Sequence, residues 1–136
     1  MFVYGCPKKT LGPQHLGLVK RALELGYTHL DLAWCFPKHR NLSTLFPEIK
    51  REEYKVIMKC MMGHDLKAAV ENYGGFVDIL LLHYPGILTP GIAPTDPKHA
   101  EKRHEYYREI EGYHKLGSIG EIGVSNFNAL HLEKLV

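Results

Sequence analysis

Four apolar stretches of the chain each deliver a polar side chain at or near the C-terminal end, and the types delivered are those of acid–base and amide chemistry. Asp31 stands in THLDLA, Lys59 in VIMKC, His83 in ILLLHYP, and Ser125 with Asn126 in IGVSNF. A lysine among apolar strand ends is desolvated, which disfavours its proton, and a nearby aspartate holds the charge in place. A histidine beside that pair can donate a hydrogen bond to a carbonyl oxygen. Ser125 and Asn126 supply the donor and acceptor needed to grip a carboxamide. Each also has a plainer reading. Asp31 and Lys59 can be a structural ion pair, His83 a core histidine, and Ser125-Asn126 a helix cap in competition with Asn128. The shared order of all four makes them a constellation.

The elements that must position these groups are legible as alternating patterns. Phe2-Val3-Tyr4, Val56-Ile57-Met58, Phe76 to Leu82 and Ile119 to Val124 are apolar runs, as expected of strands covered on both faces, and Thr28 to Ala33 is a weaker fifth that follows the helix-ending Gly26. Between them, Leu16, Val19, Ala22 and Leu23 share one helical face, with Gly26 as C-cap. Asp65 caps a helix bearing Leu66, Ala69, Val70 and Tyr73, which Gly74-Gly75 ends. The segment from about Pro97 to Gly117 reads as a charged surface helix whose Tyr106, Ile110 and Tyr113 face the core. Asn128 caps a last helix containing Leu132, Leu135 and Val136, and a short helix is expected around Leu42 to Ile49. Strand and helix in strict alternation predict parallel βαβ units, in either a doubly wound sheet or part of a barrel. No GxGxxG follows the first strand, which weakens the dinucleotide-binding doubly wound version.

Composition narrows the classes. A chain of 136 residues, 45% apolar and 24% charged, is that of a soluble globular protein, and 1–136 reads as one domain. A net charge of +2 argues against nucleic acid or a membrane surface as partner. No apolar run approaches the roughly 18 residues of a spanning helix, and MFVYGCPKKT has no secretory pattern. Cys6, Cys35 and Cys60 are odd in number without CxxC spacing, against a disulfide framework or a zinc site, and a cytoplasmic location is expected. His99, His104 and His114 are badly spaced for one helical face, so no metal is expected. Lys38, His39, Arg40, Lys50, Arg51 and Lys55 read as solvated surface.

In combination and in order, these motifs resemble those of the aldo-keto reductases. GYTHLDLA is similar to the strand-two motif of that family, VIMKC to its strand-three segment, FVDILLLHYP to its strand-four signature and IGVSNF to its strand-five turn. The resemblance runs from the first strand to the last residue. It implies an α/β fold of parallel TIM-barrel type, incomplete, with about five βα units of eight. It also implies Asp31, Lys59 and His83 as catalytic groups, Ser125 and Asn126 as nicotinamide-carboxamide contacts, and NADP(H) as cofactor. In the implied reaction a hydride reduces a small aldehyde or ketone while a tyrosine phenol protonates the alkoxide. The lysine–aspartate pair lowers the pKa of that phenol, and the histidine orients the carbonyl.

Two departures qualify the implied activity. Five residues after Asp31, where the family carries its tyrosine, stands Phe36, which has no proton to give. The family's adenosine-phosphate loop belongs to later strands, so NADP(H) binding is expected to be weak. An impaired oxidoreductase is therefore expected, with a non-catalytic remnant or scaffold protein as the alternative. A five-stranded parallel unit also leaves an open sheet edge, which self-association or a partner protein is expected to cover.

Overall fold

The computed structural model describes residues 1–6, 13–39, 48–86 and 96–135. Five strands, β1 (Val3–Gly5), β2 (His29–Ala33), β3 (Lys55–Cys60), β4 (Val77–Leu82) and β5 (Ile119–Val124), alternate with helices. The helices are α1 (Pro13–Glu24), α2 (Leu66–Asn72), α3 (Lys98–Lys115) and α4 (Ala129–Glu133), with single 3-10 turns at Pro37–His39 and Arg51–Glu53. All five strands form one sheet in the order β1-β2-β3-β4-β5, and every neighbouring pair is parallel. A doubly wound sheet reverses its strand order at a switch point, whereas here each crossover steps the same way. The architecture is an α/β partial barrel. Most of the short helix expected around Leu42 to Ile49 lies outside the described residues.

Local chemistry sets the element ends. Past α1, Gly26 takes φ 87°, and the Gly26 and Tyr27 amides donate to the Leu23 and Ala22 carbonyls at 2.9 and 3.0 Å. That pair of bonds closes the helix, and the left-handed backbone turns the chain into β2. The same two bonds recur at Gly74 and Gly117, ahead of β4 and β5. At the helix starts, Asp65 accepts from the Ala68 amide and Asn128 from the His131 amide, each at 3.0 Å.

The sheet has one sealed face. Leu30, Leu32, Val56, Met58, Cys60, Leu80 and Leu82 are at most 1% exposed and share a core with Val19, Leu66, Val70, Tyr73 and Ile110 of the helices. Truncating any of these large aliphatics to alanine is expected to cost about 2–5 kcal/mol. The opposite face carries the register line Ala33, Lys59, Leu81, Gly123 and the line Asp31, Ile57, Ile79, Glu121. It is buried around His29, Ala33 and Ile57, then opens at Ile79 and Leu81 and is exposed at Glu121. The expectation of strands covered on both faces therefore holds only toward β2 and β3. Period-free apolar runs record hydrophobicity and not what covers each face.

Two basic residues read as solvated surface are structural. His39 is 1% exposed; its Nδ1 accepts from the Ala33 amide at 3.1 Å and its carbonyl accepts from the Tyr73 hydroxyl. Arg51 binds Asp78 at 2.6 Å, and the same carboxylate oxygen accepts the Val56 amide at 2.8 Å, which ties β3 to β4. Tyr106 lies in the core as expected, 6% exposed. His99 is buried, and the rings of His104 and His114 lie at 2.9 Å from the carbonyls of Ala100 and Ile119. Among the described residues no helix is long and apolar enough to cross a membrane.

Candidate active site

The parallel register sets Ala33 opposite Lys59 and Asp31 opposite Ile57, so Asp31 and Lys59 project from the same face one pleat apart. The lysine stem spans that step. Its Nζ donates to both Asp31 carboxylate oxygens, at 2.7 and 2.6 Å, and the two side chains are only 19% and 27% exposed. On the β1 side the Cys6 amide donates to the Asp31 carbonyl at 3.0 Å. Burial pushes the Cys6 thiol up to about 12, the Asp31 charge adds to the rise, and Lys59 opposes it.

His83 follows directly on β4, and its amide donates to the Cys60 carbonyl at 2.8 Å. Burial holds the imidazole below its ordinary value, the Lys59 charge lowers it further, and Asp31 pulls the other way. His83 thus lies in the electrostatic field of the ion pair, and burial together with Lys59 favours its neutral ring. Asp31, Lys59 and His83, proposed from separate strands, come together at one end of the sheet.

Ser125 and Asn126 close this end on the β5 side. The Ser125 amide donates to the Leu82 carbonyl at 2.8 Å, and Asn126 has a left-handed φ of 62°, which asparagine tolerates better than most residues. That turn aims the Asn126 amide at β4, where Nδ2 donates to the His83 carbonyl at 2.7 Å and to Ser125 Oγ at 3.1 Å. Asn126 consequently braces the backbone of His83, a contact the spacing of residues did not disclose. The helix-capping role falls to Asn128.

Phe36 lies on the turn after β2. Its amide donates to the Ala33 carbonyl at 3.0 Å, and its ring meets the edge of His39 at 5.1 Å between centroids. The Tyr84 ring lies against that of His83, 4.7 Å between centroids and tilted by 31°. Three further groups in this neighbourhood were not assigned to the site from sequence: Cys6, His64, whose charge also lowers His83, and Cys35, whose Sγ lies 3.8 Å from His83 Nδ1. The position of Cys35 four residues after Asp31 was the available signal, but nothing local tells which way a turn side chain points. Among the described residues no cluster of three or more metal-type ligands occurs.

The chain is thus a parallel sheet of sequential strands with a lysine–aspartate pair and a histidine at its C-terminal rim. The aldo/keto reductase family model matches residues 12–136, and the chain belongs to that family. D-galacturonate reductase of Hypocrea jecorina is 27% identical over 87% of this chain and 45% of its own length. Among solved structures, an aldo-keto reductase enzyme from a Medee basin deep-sea metagenome library is 28% identical at a TM-score of 0.72, over 98% of this chain and 48% of that one. A Bombyx mori aldo-keto reductase solved in complex with NADP shares the fold at a TM-score of 0.74 and 23% identity, over 98% and 49% of the two chains. The chain spans about half the length of the curated relatives it matches.

Proposed function

We propose that the chain carries an NADP(H)-linked carbonyl-reductase site of aldo-keto type, acting on small aldehydes or ketones and impaired at its proton-donating step. The observation that carries this reading is the Lys59–Asp31 pair, bonded through both carboxylate oxygens, with both charges close enough to act on His83. In the neutral ring, a proton on Nε2 makes His83 a donor that orients a carbonyl oxygen. Lys59 holds positive charge near the developing alkoxide, and Asp31 fixes the ammonium in place.

The donor set at the β5 turn fits the carboxamide end of a nicotinamide. Both Asn126 amide hydrogens are engaged, on the His83 carbonyl and Ser125 Oγ, which turns the Asn126 oxygen and the Ser125 hydroxyl proton into an acceptor–donor pair. When bound, NADP(H) supplies the hydride. Binding by this chain is weak in our reading, because the resemblance places the phosphate contacts on the part of the relatives that the chain does not span. Each such charge-assisted contact is worth about 1.5–3 kcal/mol. The three cysteines form no disulfide among the described residues, in keeping with a reducing, cytoplasmic setting.

Phe36 favours a second reading, a non-catalytic remnant that keeps the scaffold without turnover, since it supplies no phenol. Titrating NADPH into the chain while following nicotinamide fluorescence separates the readings. Saturable binding well above the low-micromolar range, lost in Asn126→Ala, supports the reductase site. Tight binding would refute the weak-cofactor reading, and no binding at any concentration would leave the scaffold.

A further inference from the structure

The rim of the site holds a nucleophile that carbonyl reduction does not use. Cys35, half-buried on the turn after β2, places Sγ 3.8 Å from His83 Nδ1, within hydrogen-bonding range for sulfur. We propose that Cys35 and His83 form a thiol–imidazole pair that captures α,β-unsaturated aldehydes and ketones as covalent adducts. This goes beyond the reductase reading and does not rest on it, because neither a nicotinamide nor a phenol takes part.

With its proton on Nε2, the neutral ring of His83 presents the Nδ1 lone pair to the Cys35 thiol, the nucleophile–base arrangement that activates weak nucleophiles. In the step itself, Cys35 Sγ forms a bond to the β-carbon of the enone while the thiol proton passes to Nδ1. The π electrons of the carbon–carbon double bond move to the α-carbon and the oxygen as an enolate. His83 then returns the proton to the α-carbon. Nothing is oxidised or reduced, and all atoms remain in the adduct. The Lys59 ammonium, close enough to act on His83, favours the negative charge that develops on the enolate oxygen.

The other two cysteines provide internal contrast. Burial pushes the thiols of both Cys6 and Cys60 up to about 12 from an ordinary 9.0, and Cys60 is fully buried. At neutral pH that shift lowers their thiolate fraction by about 10³-fold. Among the described residues, neither makes a hydrogen bond to an imidazole.

The test uses the 136-residue chain without any nicotinamide, so failure of cofactor binding leaves it unaffected. The chain is treated with 2-cyclohexen-1-one near neutral pH, and adducts are assigned by peptide mass spectrometry over time. A single adduct at Cys35, formed at least about tenfold faster than at Cys6 or Cys60, is expected, with the selectivity lost in denaturant. His83→Gln should slow the Cys35 adduct by at least about tenfold, given the usual 10²–10⁴ worth of a positioned base. Labelling of all three cysteines at similar rates, or an unchanged Cys35 rate in a folded His83→Gln chain, overturns the proposal. Should His83→Gln fail to fold, the pH profile of the parent chain decides. A paired thiol reaches its plateau rate on the acid side of an ordinary cysteine, whereas a rate still climbing about tenfold per pH unit up to the free-thiol range overturns the pair.

Discussion

Cutting the Lys59–Asp31 bond from each side asks whether the pair exists for stability or for chemistry. Lys59→Met keeps the aliphatic stem and removes the charge; Asp31→Asn keeps the shape and removes its counterpart. Exposed ion pairs are worth about 0–1 kcal/mol, and stripping one partner from a fully buried pair costs about 3–5 kcal/mol. With side chains 19% and 27% exposed and both carboxylate oxygens engaged, this pair lies between those limits. Each single variant should lose about 2 kcal/mol, because the remaining charge stays two-thirds or more buried without its partner. In the double variant neither charge needs desolvating, and most of that loss should be recovered. Urea unfolding, followed through the single, buried Trp34, gives all four corners of the cycle. Strictly additive losses, with coupling under about 0.5 kcal/mol, would refute the reasoning and mean that solvent screens the pair. A double variant as stable as the parent would show that the fold does not require these charges, leaving chemistry as their reason.

Three other outcomes are expected. Phe36→Tyr should raise NADPH-dependent reduction of a simple aldehyde by a factor on the order of 10²–10⁴, and Lys59→Met in that background should abolish the gain; vigorous turnover by the parent chain would contradict this. His29 and His83 both titrate below the usual 6.5, from burial first and then from Lys55 and Lys59 respectively. Since the folded chain holds fewer protons than the unfolded one in that window, stability is complete above 6.5 and falls as the pH drops toward the folded values. A urea midpoint that rises on mild acidification would be incompatible with it, and His83→Gln should flatten the slope. Finally, Asn126→Gly should lose about 1 kcal/mol with the bond to the His83 carbonyl, and Asn126→Ala should lose about 1 kcal/mol more from its φ of 62°. Equal unfolding midpoints for the two variants would show that the turn relaxes.

What was legible in the chain was its local chemistry. Asp65 and Asn128 cap the helices they were assigned to, Gly26 and Gly74 end theirs, and Ile119–Val124 is a strand over the residues expected. The order of the motifs and their common position at the ends of apolar runs also sufficed to bring Asp31, Lys59 and His83 to one rim. What stayed hidden depends on contacts between residues far apart in the chain. His39 is buried because it joins Ala33 to Tyr73, 34 residues away, and no neighbour in sequence announces that. The 3.8 Å approach of Cys35 to His83 links residues 48 apart. Alternating β and α patterns left barrel and doubly wound sheet open; the motif resemblance implied the barrel, and the strand order agrees with it.

The repeated helix endings at Gly26, Gly74 and Gly117 bear on how such a chain acquires its shape. Each corner is held by bonds spanning three and five residues, so it forms at little loop-closure cost and delivers the next strand before any distant pairing exists. All of these corners lie at the rim where strands begin, opposite the rim that carries Asp31, Lys59 and His83. The turns that direct the chain thus lie at one pole of the molecule and the candidate site at the other. Substitutions at the candidate site, Phe36 included, therefore leave these corner bonds in place.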